Sequence, residues 1–133
     1  MLTSQKGEVA VELLVFVGIM LMILVFFIAL IGTRIIETNE SRLLTKARNI
    51  VDTISNEINI ASRIEGYYRE FYLPERIDGD TYSIIIHEEL RTVEILWDGK
   101  NMLSSFATGN ITGSVKAGKN TIKNEGGVIK FES

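Results

Sequence analysis

Hydrophobic and polar positions divide the chain into stretches with different periods. Leu13–Gly32 is an uninterrupted run of twenty residues without a charge, a proline or an amide side chain. At 1.5 Å rise per residue, such a run makes a helix about 30 Å long, which matches the hydrocarbon thickness of a bilayer. The run therefore predicts a membrane-spanning helix.

The helical pattern continues beyond this run, but only one side of it is apolar. The apolar stripe, with spacings of three, four or seven, consists of Ile36, Leu43, Ala47, Ile50, Ile54, Ile58, Ala61 and Ile64. Charged residues such as Glu57 and Arg63 lie mostly off the stripe. No proline interrupts the pattern, so we expect one helix over residues 8–65 that Gly66 terminates. A short coiled-coil dimer is the alternative, although fewer than four clean heptads are present.

After Gly66 the pattern changes to short β-prone runs separated by turn signals. An aromatic run from Tyr67 to Leu73 ends at Pro74, the only proline. The remaining predicted strands are Tyr82–Glu88, Arg91–Trp97, Asn101–Ala107, Ile111–Val115, Asn120–Lys123 and Val128–Phe131. Asp98-Gly99 is a strong turn signal between two of them. We expect a small antiparallel sheet or β-sandwich with one face on the stripe.

The predicted fold class is α+β, with a long N-terminal hydrophobic helical stem packed against a small C-terminal antiparallel β domain. A leader at residues 1–7 precedes the helix, and the β domain covers residues 66–133. Within the helix, residues 8–33 form the membrane or core part and residues 34–65 form the amphipathic stem. A domain as small as residues 66–133 is marginal alone, so we expect the stem to help stabilise it.

Composition and charge argue against several classes of function. The net charge of −3 shows no basic excess, so we expect no nucleic-acid partner. The chain has no cysteine, which excludes disulfides and thiolate metal sites. His87 is the only histidine, and we interpret it as structural or solvent-facing. Asp78-Gly79-Asp80 resembles part of a calcium loop but lacks its other acidic positions, so a solvated turn is the better account. We therefore expect no enzymatic activity, no cofactor and no metal.

The residues immediately before the apolar run carry the most specific functional signal. Lys6-Gly7-Glu8-Val9-Ala10-Val11-Glu12 resembles the class III signal peptide of archaeal type IV pilins. The resemblance implies that a prepilin peptidase recognises Lys6 and Gly7 and cuts between Gly7 and Glu8. It also implies that the helix stays in the mature subunit and that Glu12, then the fifth residue, takes part in assembly. The family usually has glutamine where this chain has Glu8.

The resemblance implies a structural subunit, major or minor, of a pilus-like surface filament that serves adhesion. Its partners would be other copies or other pilins, the prepilin peptidase and the pilus assembly platform. The subunit would wait in the cell membrane and then enter an extracellular filament. The alternative is a single-span membrane protein whose outward β domain binds a partner, as a stator or adaptor of a surface appendage does.

Two sequons lie beyond the apolar run. Asn39-Glu40-Ser41 falls on the predicted stem, and Asn110-Ile111-Thr112 follows a loop signal at Gly109. Asn110 is the better predicted acceptor for N-glycosylation, because acceptors lie in surface loops.

Overall fold

The structure is a computed structural model that describes residues 2–133, with the side chains of residues 5–35 and 38–133. The described elements are α1 (Leu2–Arg63), β1 (Tyr68–Leu73), β2 (Ser83–His87), β3 (Thr92–Trp97), β4 (Lys100–Ser105), β5 (Ile111–Thr112), β6 (Gly118–Glu125) and β7 (Val128–Glu132). They confirm the α+β class with an apolar helical stem.

The helix begins earlier and ends slightly earlier than predicted. It starts at Leu2 instead of residue 8 and ends at Arg63 instead of residue 65. The polar leader is thus helical from Leu2, because extending an established helix adds one hydrogen bond for each residue that is ordered. Gly66 follows the helix with φ of 75°, a conformation that glycine adopts without strain, as expected of a terminating residue.

The chain forms two compact units, Met1–Ser41 and Arg42–Ser133. The described residues of the first unit are all part of α1. The second contains the last part of α1 together with all the strands, so the C-terminal portion of the stem belongs to the same unit as the β domain.

Two sheets make up the strand part of the second unit. One has the order β1-β6-β7-β5 and the other has the order β2-β3-β4. The hairpin of β2 and β3 and the turn at Asp98-Gly99 form as predicted. Asp98 and Gly99 have φ of 44° and 69°, the positive values that a tight type I′ hairpin turn requires.

One pairing departs from the antiparallel arrangement that the sequence predicts. Strand β5 contains only Ile111–Thr112 and pairs in parallel with β7. The predicted strand Ile111–Val115 stops there because Gly113 has φ of 92°, which extended backbone does not allow. An added Cβ at Gly113 would also lie 2.2 Å from the carbonyl oxygen of Phe131.

The core lies where the stripe of α1 meets both sheets. Its helical members are Ala47, Ile50, Val51, Ile54, Ile58 and Ala61, and its strand members include Phe71, Leu73, Val93, Ile95, Trp97, Ile122, Ile129 and Phe131. The rings of Phe71 and Phe131 pack edge to face, with centroids 6.4 Å apart. The stripe is therefore confirmed from Leu43 to Ala61, whereas Ile64 is half exposed and the side chain of Ile36 lies outside the described residues.

Glu57 does not follow the prediction that charged residues lie off the stripe, because only 6% of it is exposed. Its Oε1 lies 2.9 Å from Nη1 of Arg69, and its Oε2 accepts a hydrogen bond of 3.0 Å from the Tyr67 hydroxyl. A buried carboxylate is tolerated when it is paired and hydrogen-bonded in this way. The cluster ties α1 to the segment that leads into β1.

Two inward-facing asparagines on β6 organise the neighbouring backbone. Asn124 donates from Nδ2 to the carbonyls of Ala61 and Ile64, at 2.8 and 3.2 Å, and its Oδ1 accepts from the N–H of Gly127. Asn120 bonds both the N–H and the C=O of Lys116. Asn124 thereby gives a second donor to two carbonyls at and just beyond the end of α1, where the regular helical donors are missing.

Candidate functional site: the amino-terminal segment of the helix

The four residues of the proposed processing and assembly motif lie on consecutive turns of α1. Lys6, Gly7, Glu8 and Glu12 are all helical and all exposed. Glu8 and Glu12 are four residues apart, so their side chains share one face, and with Gly7 and Val11 they line one shallow depression. Lys6 lies on a different side, because two helical positions are about 200° apart at 3.6 residues per turn.

The bond between Gly7 and Glu8 is part of the helix. No packing contact explains the glycine, since a Cβ added at Gly7 would meet nothing within 4 Å. Glycine in a helix interior is about 1 kcal/mol less favourable than alanine, so Gly7 weakens the helix locally at this bond.

Glu12 is a carboxylate without a local partner at the edge of the apolar run. Among the side chains from Gln5 to Ile35, no ion pair forms with Glu12, Glu8 or Lys6. Helical side chains lean toward the amino end, so the carboxylate of Glu12 leans toward the turn that contains Glu8. The backbone nitrogen of Glu8 lies one turn before Glu12, about 6 Å along the axis.

The apolar run that follows is fully unburied within its unit. Its large hydrophobic side chains, from Leu13 to Ile31, are between 47% and 75% exposed. Helix α1 is the only described helix long and apolar enough to cross a membrane, with a mean hydropathy of 3.3 in its most apolar window. It is a candidate membrane-spanning helix and is compatible with membrane anchoring.

The two sequons lie in different backbone settings. Asn110 is exposed, directly precedes β5 and has an irregular backbone, and its carbonyl accepts a hydrogen bond of 2.9 Å from the N–H of Ile129. Asn39 is exposed on a helix. Only Asn110 thus has the loop setting that the sequence analysis assigned to the better acceptor.

The polar groups weighed for metal chemistry make internal contacts instead. The His87 Nε2 lies 2.9 Å from Oε2 of Glu94, and Asn101 donates to Oε1 of Glu94 at 2.8 Å. These hydrogen bonds, first from Asn101 and then from His87, lower the pKa of Glu94. The Asp78-Gly79 turn is closed by pairing between Ile77 and Asp80. No group of three potential ligands that could hold a metal ion occurs among the described residues.

The buried polar residues were not predicted from the sequence. Asn120 and Asn124 alternate with Ile122 along one strand, and this period of two was the available signal that they face inward. Glu57 lies three residues after Ile54 and four before Ala61, so the helical period was the available signal for its burial, whereas its partner Arg69 is brought to it only by tertiary structure.

No protein-family model, no curated protein and no solved structure matches this chain.

Proposed function

We propose that the protein is a structural subunit, major or minor, of a surface filament of the archaeal type IV pilus kind. The observation that carries the proposal is an apolar helical run with no burial in its own unit, directly preceded by Lys6-Gly7-Glu8 and Glu12. In this proposal a prepilin peptidase cuts between Gly7 and Glu8, and the retained helix becomes part of a filament core.

The apolar run is stable in two environments but not in water. Between Leu13 and Gly32 the chain has fifteen Leu, Ile, Val or Phe residues. At about 0.3–0.6 kcal/mol each, these residues favour a bilayer by about 5–9 kcal/mol. A core made of equivalent helices removes the same side chains from water, so the subunit can move from the lipid into a filament without exposing them.

Glu12 distinguishes a filament subunit from a simple anchor. A charged side chain at membrane depth is costly, and such residues normally face a partner. Cleavage before Glu8 creates a new ammonium group one helical turn from Glu12. A carboxylate paired with this ammonium, in its own chain or in a neighbour, loses much of the desolvation penalty and sets the axial register of the packed helices.

The partners follow from this assembly. Contacts between two different patches do not close and so give an open helical filament of copies of this chain or of related pilins. The peptidase and an assembly platform act at the membrane, and the assembled filament lies outside the cell and supports adhesion. Glycosylation at Asn110, and less readily at Asn39, is part of the proposal.

The test combines amino-terminal sequencing with electron microscopy of sheared surface material. We expect the mature protein to begin at Glu8 and filaments to be present. Gly7→Val should block processing, because it places a β-branched side chain at the cleaved bond. Gly18→Val is the matched control, since Gly18 is also exposed with nothing within 4 Å of an added Cβ. Normal cleavage of the Gly7→Val variant would remove the proposed site.

The same material tests the role of Glu12. Glu12→Ala should insert into the membrane normally and lose filaments, because the terminal ammonium then has no partner. Glu40→Ala removes another exposed helical carboxylate, away from the new terminus, and should assemble normally. Filaments at the wild-type yield from Glu12→Ala would refute the assembly role.

A second candidate, a single-span binding module, is favoured by one observation. Arg42–Ser133 builds its own buried core without a neighbour, as a stator or adaptor domain would. Retention of residues 1–7 on the purified protein, together with an absence of filaments, would support this candidate.

A further inference from the structure

The exposed side of α1 in the second unit is basic. Between Arg42 and Arg63 the bases are Arg42, Lys46, Arg48 and Arg63, and all are exposed. Of the acids in this span, Glu57 is buried against Arg69, and Asp52 accepts a hydrogen bond of 2.9 Å from the neutral Ser104 hydroxyl. Among the bases, Lys46 lies 3.9 Å from Asp78, so the arginines carry the remaining positive charge of this side.

One outward side of α1, which we call the helix face, consists of Arg42, Asn49, Asn56, Ile60 and Arg63. They follow one another at spacings of three, four or seven and therefore share one side of the helix. Ile60 is 40% exposed and gives this polar surface an apolar centre. The helix face thus combines positive charge, amide groups and one aliphatic side chain.

The outward side of the three-stranded sheet has the complementary composition. This surface, which we call the sheet face, consists of Ile85, Glu94, Leu96 and Leu103 together with the adjoining hairpin tip Glu88-Glu89-Leu90. Ile85, Glu94 and Leu103 are direct cross-strand partners and form one row. The apolar members are exposed, Leu103 by 51%. Three acids lie here against a single permanent base, Arg91 at the tip. Glu94 is already bonded to His87 and Asn101, whereas the tip residues Glu88 and Glu89 are exposed and form no ion pair within this surface.

On the outward surface of the other sheet, the charged side chains form ion pairs with one another. On the outward side of β1-β6-β7, Lys119 lies 3.0 Å from Glu70, Lys130 pairs with Glu125, and Lys123 pairs with Glu132. These charges neutralise one another within the chain. The charges of the helix face and of the hairpin tip have no such partners on their own surfaces.

Building on the proposed filament, we infer that the helix face of one copy packs on the sheet face of the next copy. Opposite charge and exposed aliphatic side chains on both surfaces select a second copy of this chain as the occupant. The two faces are different patches of the same molecule, so the contact is heterologous and repeats from copy to copy. Ile60 lies against the Ile85–Leu103 row, and Arg63, which is about 4.5 Å from Ile60 along the helix axis, meets the acids of the sheet face.

The absence of cysteine from the chain allows a direct test by cross-linking. Ile60→Cys and Leu103→Cys are combined in the full-length protein, and sheared filaments are treated with a short bis-maleimide. We expect a ladder of dimers, trimers and longer species on a denaturing gel. The matched control combines Ile60→Cys with Tyr68→Cys, because Tyr68 is exposed on the outward side of the other sheet. This control should remain monomeric.

The outcomes separate the inference from the proposed function. Filaments that give no ladder, or an equal ladder in the Tyr68 control, overturn the inference and leave the filament proposal intact. Dimers from Leu103→Cys alone overturn it as well, because they indicate a symmetric contact. An absence of wild-type filaments overturns both.

Charge reversal gives a second readout that needs no cysteine. Glu88→Lys combined with Glu89→Lys changes two exposed tip residues and should lower filament yield, and adding Arg63→Glu should restore part of it. Adding Arg42→Glu instead should restore nothing, because Arg42 lies about 27 Å from Ile60 along the helix axis. An unchanged yield from the Glu88 and Glu89 reversal would show that the tip is outside the contact. Fluorescence of the buried Trp97 verifies folding of each variant.

Discussion

Asn124 joins three parts of the second unit, and its truncation is the sharpest test of how the sheets hold the end of α1. The residue is 4% exposed. Its Nδ2 donates to Ala61 O at 2.8 Å and to Ile64 O at 3.2 Å, and its Oδ1 accepts from Gly127 N at 2.9 Å. Asn124→Ala removes all of these bonds and leaves the side-chain volume unfilled.

The expected loss of stability depends on which hydrogen-bond partners each of these three backbone groups keeps after the substitution. The carbonyls of Ala61 and Ile64 keep backbone donors, the N–H groups of Ile64 and Tyr67. The Gly127 N–H is at an exposed turn where water can replace the lost acceptor. No group is fully orphaned, so a net value of about 1 kcal/mol for each hydrogen bond applies. We expect Asn124→Ala to lower the free energy of unfolding by about 3 kcal/mol.

The assay uses the full chain in detergent micelles, unfolded with urea and followed by fluorescence. Trp97 is the only tryptophan and is buried, so it reports unfolding of the second unit. The midpoint should fall without a change in the denaturant slope. Asn56→Ala is the matched control, because Asn56 is exposed on the helix, and a change within about 0.5 kcal/mol is expected there.

An isosteric variant separates hydrogen bonding from packing. Asn124→Asp keeps the shape and the acceptor for Gly127 but turns an oxygen toward the carbonyls of Ala61 and Ile64. It should destabilise at least as much as alanine does. A loss below about 0.5 kcal/mol for Asn124→Ala would refute the reasoning, since one net hydrogen bond contributes at least that much.

Two further predictions concern the backbone and the titration of the second unit. Gly113→Ala should destabilise it well beyond Gly126→Ala, because both have positive φ but only the Gly113 Cβ would collide, at 2.2 Å, with Phe131 O; equal unfolding midpoints would contradict this. Burial raises the pKa of Tyr82, whose hydroxyl donates to Pro74 O, from its ordinary value of 10.0 to about 12. The protonated form stabilises the fold below about pH 10, and this contribution should fade as pH rises toward 12. Tyr82→Phe should weaken that alkaline loss in urea titrations; an identical pH profile would contradict the assignment.

Local pattern located most of the elements and the segment that carries the candidate site, although it did not set the start of α1 or the end of β5. The period of the stripe identified the helical residues from Leu43 to Ala61 that pack against sheets, and the turn signal at Asp98-Gly99 located a hairpin. Both are properties of short stretches, since burial on one side sets the period and positive φ sets the turn residues. The motif from Lys6 to Glu12 could likewise be identified without a structure, because it is defined by residue types at fixed spacing.

Tertiary structure alone decided which distant residues share a contact. The parallel pairing of β5 with β7 and the burial of Glu57 against Arg69 arise from chain crossings that no local period encodes. The opposite compositions of the helix face and the sheet face also appeared only after register assigned each side chain to a side of its sheet. Sequence thus determines the local conformation and the apolar stem, whereas long-range packing determines which charges are neutralised within the chain and which remain at its surface.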